Sequence, residues 1–208
     1  MKDEEYWSAV RAMRLRIADL LETLTPAQWN APSLCRGWRV RDVAGHLALV
    51  PTITTWQMIS VAPRARFDPN RINTLLARRH GSGEPAETIV RIRAHAETRR
   101  TAKALDTRNN LFDAIVHGQD IARPVGRDLP VPAAFSQAGL ERVWEMGWPF
   151  NARRKLAGLT LRATDTDWTV GTGPEVAGAA LDLLLLLTGR TAAVVDSLHG
   201  EGAASLTA

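Results

Sequence analysis

The chain has 208 residues, 45% hydrophobic and 23% charged, which suits one substantial domain, or one domain with a small appendage, of ordinary globular composition. A formal net charge of +4 raises nucleic acid as a partner, but the basic residues are dispersed and interleaved with acids. The densest basic clusters, "ARRH", "ETRR" and "NARRK", lack aromatic interleaving or a known binding motif, so they read as a solvated face and no nucleic acid is expected.

The N-terminus, "MKDEEYW", is acidic and shows no apolar stretch of a signal peptide. With Cys35 as the one cysteine, no intrachain disulfide can form, and a reducing, cytoplasmic setting is expected. Residues 4–24 carry Trp7, Val10, Met13, Ile17, Leu20, Leu21 and Leu24 at helical spacing, giving one buried stripe. Thr25-Pro26 starts a short turn of helix, an N-cap followed by proline at the first helical position. After the loop "NAPSLCRGW", a second long helix is expected from about Arg39 to about Ser60, kinked by Pro51 just past His46. "PNRINTLLARRH" and "EPAETIVRIRAHAETRR" form a third helix broken at "GSGEP".

A fourth helix is expected from about Thr107 to Arg123, and "AAFSQAGLERVWEMGW" forms another after the breaker-rich "PVGRDLPVP". Beyond about residue 150 the texture changes. "LAGLTLRATD" and "DWTVGTG" read as two short strands joined at a turn. "PEVAGAALDLLLLLTGR" reads as a helix with Pro174 at its start and Gly189 near its end. Its apolar run, Leu183 to Leu187, is too short to cross a bilayer. A last short helix, "TAAVVDSLHG", and a further strand close the chain. The expected layout is a mainly α protein: a helical bundle over residues 1–150 and a small α+β domain over 151–208, the latter folded against the bundle because a unit of that size is marginal alone.

Two segments carry the chemistry. "GWRVRDVAGHLA" and "LFDAIVHGQDIA" each place Asp-x-x-x-His on an otherwise apolar helix, as Asp42/His46 and Asp113/His117. Residues four apart share a helix face, so Asp113 and His117 can address one point. With His46 from another helix they make a three-ligand set for Zn²⁺ or a similar ion, with a position left open for water or substrate. A lone histidine on an apolar helix face is more often a core residue with an ordinary hydrogen bond, and spacing alone favours that for each. Asp42 lies in a first turn, where the helix dipole and free N–H groups favour a carboxylate. Asp113 lies mid-helix and has no such explanation. Asp120 is either an acceptor for a ligating His117 or a surface acid near Arg123.

"LCRGWRVRDVAGHLA" followed by "DAIVHGQDIARPVGRDLPVP" resembles the mycothiol-dependent maleylpyruvate isomerase family, within the DinB-like metal-dependent enzymes. "LRATDTDWTVGTGPEVAGAALDLLLLLTGR" is similar to the tail of many actinobacterial members, and the arginine-rich, alanine-rich composition fits a GC-rich genome. The resemblance implies a DinB-like four-helix bundle holding a divalent metal, usually zinc, with mycothiol as thiol cosubstrate. Carried over, the ligands are His46, Asp113 and His117. This chain departs from the pattern in one place, having Asp113 where the family has glutamate, one methylene longer in reach.

The function so implied is a metal-dependent enzyme using a low-molecular-weight thiol, either an isomerase or an S-transferase, acting on a small and anionic electrophile. Arg190 or Arg123 could hold the anion. The alternatives are a DinB-like hydrolase in which the ion activates water, and a non-enzymatic metal-stabilised ligand-binding protein. Other candidates are weaker. Cys35 beside Arg36 is conceivable as a lowered-pKa nucleophile, but no histidine–acid arrangement points to it, and a half-buried thiol accounts for it. His80 and His95 stand among arginines, and His199 has no partner at metal spacing. The seven tryptophans are mostly core, with one or two left for a pocket mouth. "TGTGP" near residue 172 matches no phosphate-binding fingerprint and reads as a turn. No membrane association is expected.

Overall fold

The computed structural model describes residues 1–99 and 106–207. Two compact units divide the chain, Met1–Leu129 and Pro130–Ala208. In the first, four helices form a bundle: α1 (Asp3–Glu22), α3 (Val40–Leu49), α6 (Pro85–Ala94) and α7 (Asn110–Ala122). Helix α1 packs on α6 and α7, and α3 packs on the same two from the other side, closing a square. The expected stripe of α1 is its core face: Val10, Met13, Ile17 and Leu21 are buried. Helix α2 (Pro26–Asn30) is the expected short helix, started by a Thr25/Gln28 capping box with Pro26 at its first position.

The expected helix from Arg39 to Ser60 is two helices, α3 and α4 (Thr55–Val61). Pro51 does more than kink it. Proline lacks the N–H that would continue the ladder, and its ring crowds the carbonyl one turn back. The amides of Thr52 and Ile53 both fold onto Leu49 O at 2.8 Å, closing a turn. Thr54 then starts a new helix: its hydroxyl accepts from Gln57 N–H at 3.2 Å and its own N–H donates to Gln57 Oε1 at 2.8 Å. The broken third helix is α5 (Pro69–Gly81) and α6, parted at Ser82–Glu84. Arg100, with which the expected segment closes, lies outside the described residues.

Helices α3 and α5 touch at two glycines. A Cβ on Gly45 would meet Gly81 N and lie 2.8 Å from Ala77 O, so only glycine permits this approach. Arg41 fastens the same crossing, donating from Nε to Gly81 O at 2.6 Å and from Nη2 to Gly83 O at 2.8 Å. The crossing fixes α5 beside His46, the next residue after Gly45.

The second unit holds α8 (Ala133–Glu145), α9 (Ala152–Lys155), strands β1 (Thr160–Ala163), β2 (Thr169–Gly171) and β3 (Glu175–Gly178), and α10 (Ala180–Leu187). The division between the two compact units falls before α8, which packs against α10. Leu140 and Val143 of α8 are buried, as is the whole all-round apolar run Leu183–Leu187 of α10, the helix against which α8 packs. The sheet order is β2-β1-β3, with β1 antiparallel to β2 and parallel to β3.

Strand β3 occupies the start of the segment expected to be helical from Pro174. Its backbone pairs with β1, and Glu175 takes a two-pronged contact from Arg162 at 2.8 and 2.9 Å. The helix begins only where Asp165 Oδ1 accepts the Ala180 N–H at 2.7 Å, satisfying a donor that a helix start leaves open. The closing segment has 3-10 turns at Thr191–Ala193, Val195–Ser197 and Ala203–Thr207, with a single bridge from His199 to Ala177 in place of a further strand. No helix of the described residues is long and apolar enough to cross a membrane.

Candidate metal centre

Helix α3 brings His46 to the middle of the first unit, and α7 brings Asp113 and His117 on successive turns of one face. His46 Nε2 lies 3.4 Å from both oxygens of the Asp113 carboxylate. His117 Nε2 lies 3.5 Å from Asp113 Oδ1. One donor atom from each residue falls within 4.8 Å of the other two. A four-coordinate ion with bonds of 2.0–2.2 Å sets neighbouring donors about 3.3–3.6 Å apart, which is the spacing of both imidazole–carboxylate pairs. Among the described residues this is the one group of three or more that could hold an ion.

The surroundings prepare the donors. Asp120 has no exposed surface, and its Oδ2 lies 2.8 Å from His117 Nδ1. Of the two readings left open for Asp120, it is therefore the acceptor behind His117 and not a surface acid. That contact places the imidazole proton on Nδ1 and leaves the lone pair on Nε2, the nitrogen facing Asp113. Burial works against charge on Asp113, but the two imidazoles, the contact with His46 and the charge of Arg14 hold its carboxyl down at about 2. Burial likewise disfavours the charged form of His46, yet Asp113, then Asn73 and Asp120, raise its pKa above the ordinary histidine value. An ionised carboxylate between two imidazole nitrogens is a donor set that fits a borderline divalent ion such as zinc.

Trp38 forms the wall behind both imidazoles. Its indole stacks on His117 at 6.1 Å between ring centres and 10° between planes, and tilts over His46 at 5.7 Å. The two imidazoles meet edge-on at 4.8 Å. The indole N–H reaches Thr74 Oγ1 on α5 at 3.3 Å. Trp38 is thus the tryptophan at the site, a choice that composition left open, whereas Trp56 and Trp148 are exposed.

The remaining candidates lie elsewhere. Asp42 is a cap, its Oδ2 accepting the Arg39 backbone N–H at 2.9 Å, as its first-turn position suggests. Cys35 is half-buried in the turn leading to Trp38, outside the cluster. His80 contacts Arg91 at 2.9 Å, and neither it nor His95 joins the cluster. Arg123 donates from Nε to Gln119 Oε1 at 3.1 Å at the end of α7. Arg190 belongs to the second unit, where its Nη1 donates to Thr188 O at 2.7 Å.

Sequence reasoning missed Arg14. It sits on the apolar face of α1 and is buried, donating to the carbonyls of His95, Ala96 and Thr98 and to Asn110 Oδ1 at 2.8–3.3 Å. It ties the end of α6 to the first residue of α7, the helix that carries Asp113. A charged residue in step with Val10, Met13 and Ile17 was the available signal.

Residues 10–107 match the family described as the mycothiol maleylpyruvate isomerase N-terminal domain. Two solved structures share the fold. One is a crystal structure of the mycothiol-dependent maleylpyruvate isomerase, at TM-score 0.64 and 13% identity over 98% of this chain and 94% of that one. The other is a histidine-to-alanine mutant of the mycothiol-dependent maleylpyruvate isomerase, at TM-score 0.65 and 11% identity with the same coverage. Among proteins of curated function, none matches the chain.

Proposed function

We propose that the chain, whose residues 10–107 match the mycothiol maleylpyruvate isomerase N-terminal domain, is a metal-dependent enzyme that uses mycothiol to isomerise, or add sulfur to, a small unsaturated acid. The observation that carries this reading is the convergence of His46, Asp113 and His117, with Asp120 behind His117. These three residues would hold the ion, which when bound supplies Lewis acidity that lowers the pKa of a thiol at neutral pH.

The chain's own residues supply the rest. Asp120 orients His117 through Nδ1, so that Nε2 faces the ion. Asp113 stays ionised across the physiological range, and its charge offsets part of the ion's. The Trp38 indole covers one side of both imidazoles and keeps water from competing there.

The test is metal analysis of the purified protein followed by a thiol-transfer screen with mycothiol and maleylpyruvate. We expect about one zinc per chain, and turnover only when thiol is added. Turnover without thiol would replace the reading with that of a hydrolase. Neither turnover nor thiol binding by a zinc-loaded protein would leave a binding protein.

A further inference from the structure

A groove of about 260 Å³ runs along α5, lined by Arg64, Asn70, Arg71, Thr74 and Leu75. Two contacts join it to the metal cluster within the same unit. Thr74 Oγ1 accepts the N–H of Trp38, the ring stacked on His117. Asn70 and Asn73 lie three apart on α5, hence on neighbouring turns of one face, and Asn73 is near enough to His46 to help raise its pKa. The groove therefore begins roughly 5 Å, one helical turn, from Asn73, the α5 residue beside His46.

The groove carries excess positive charge. Arg64 is exposed and makes no ion pair or hydrogen bond among the described residues. The carboxylate beside Arg71 is that of Asp68, whose Oδ2 lies 3.6 Å from its Nε. Asp68 Oδ1 is engaged at the start of α5, accepting the backbone N–H groups of Asn70 at 2.8 Å and Arg71 at 3.4 Å. Surface pairs of this kind are weak and exchange readily. With an ion bound, Asp113 and Asp120 together balance its two charges, so the cluster offers an anion no net attraction and an acidic substrate needs cations from neighbouring side chains. The guanidinium fork matches a carboxylate edge on, while Leu75 and the arginine stems give an apolar floor.

We propose that Arg64 and Arg71 form the subsite that holds the carboxylate of the electrophilic substrate while its reactive carbon lies at the His46–Asp113–His117 cluster, an inference that rests on the thiol-enzyme reading above. The ligand class is a short, flat carboxylic acid. The groove is at or below the small end of pocket volumes, about 300 Å³, so it takes a small acid and not a disaccharide-sized cosubstrate.

The experiment titrates maleate into the zinc-loaded full chain by calorimetry, for the wild type, Arg64→Gln, Arg71→Gln and the double variant, with zinc content measured on each sample. Saturable binding to the wild type, weakened at least tenfold in the double variant at unchanged zinc content, is the expected result, and binding should fall with added salt. In the thiol assay the same variant should raise KM far more than it lowers kcat. Equal binding by wild type and double variant, or no saturable binding, overturns the proposal. So does displacement of maleate by inorganic phosphate at equal affinity, which would mark a general anion groove. Arg64→Gln alone, at an exposed residue with no partners, keeps the test intact should the double variant fail to fold; a wild-type affinity there and in Arg71→Gln would again overturn it. Maleate binding that depends on the arginines in a protein without thiol turnover would instead sink the enzyme reading and leave the subsite standing.

Discussion

Asp120 stands directly behind His117: its carboxylate, wholly shielded from solvent, lies 2.8 Å from Nδ1 of an imidazole whose other nitrogen faces Asp113. A buried carboxylate is tolerated only with a partner, and here the partner is a ring that it orients. Asp120→Asn keeps the volume but lets the amide present a donor or a weaker acceptor, so the ring loses its fixed tautomer. Zinc affinity should fall about 10–100-fold, the usual effect of removing such a support. Competition against a chromophoric chelator measures it, and an unchanged affinity would show that Asp120 serves packing alone.

His117→Ala should lose most of its zinc and stay folded. The bundle is closed by Val10, Ile17, Leu21, Leu111 and Ile115, all buried and none dependent on an ion. Far-ultraviolet circular dichroism and metal content on one sample decide the matter. Unfolding of the wild type on chelation would mean that the ion is structural.

The pH response of the metal-free protein should run opposite to that of metal binding. The folded-state pKa of His46 is raised, chiefly by Asp113 against the effect of burial, so its contribution to stability is full below about 6.5 and is lost as pH rises through the folded value. The Asp113 carboxyl is lowered to about 2, so its contribution is present above about 3.9 and is lost only as pH falls through 2. Denaturation of the metal-free protein should therefore show lower stability at pH 8.5 than at pH 5.5 from this pair. Zinc affinity should change the other way, falling as His46 takes its proton above the ordinary histidine range. Parallel trends in the two measurements would refute the coupling.

The cluster was legible because its information is local. An i, i+4 pair on one helix and a second histidine in a motif of its own specify residue types and a shared face, and only the meeting of α3 with α7 had to come from the fold. What was illegible depends on partners remote in sequence. Strand β3 reads as the opening of an apolar helix until β1 is there to pair with it. Trp38 is one apolar tryptophan among seven until α5 offers Thr74 to its N–H and α7 brings His117 to its face. Pro51 announced a break whose completeness was set by the Thr54/Gln57 cap that follows it.

Arg14 supports the site from outside. Arg14→Met fills much of the same space but strands the buried Ala96 carbonyl and the Asn110 side chain, along with the partly buried carbonyls of His95 and Thr98. Each unsatisfied buried group costs about 1–3 kcal/mol, so a loss on the order of 3 kcal/mol is expected in urea denaturation. Zinc affinity should fall as well, because the start of α7 loses its tie to α6. A stability within 1 kcal/mol of wild type, to which a methionine packing gain of about that size could not lift so large a loss, would show that water replaces the guanidinium.

Gly45→Ala tests whether the α3–α5 crossing sets the geometry around His46. In an isolated helix alanine is favoured over glycine by about 1 kcal/mol, so propensity alone predicts a gain. At Gly45 the new methyl would meet backbone atoms, with Gly81 Cα at 2.7 Å and Ala77 O at 2.8 Å, and backbone cannot rotate aside as a side chain can. Overpacking costs about 1–3 kcal/mol and often more where helices must part, so the clash wins and the variant should be less stable than wild type. The same separation would draw Asn73 and Thr74 away from His46 and Trp38, so zinc affinity should drop with stability. Gly83→Ala is the control: its nearest obstacle is the flexible end of Glu87, at 3.6 Å, and it should change neither property. A Gly45→Ala protein with wild-type urea midpoint and zinc affinity would mean that α5 can withdraw at no cost, and that the crossing does not govern the site.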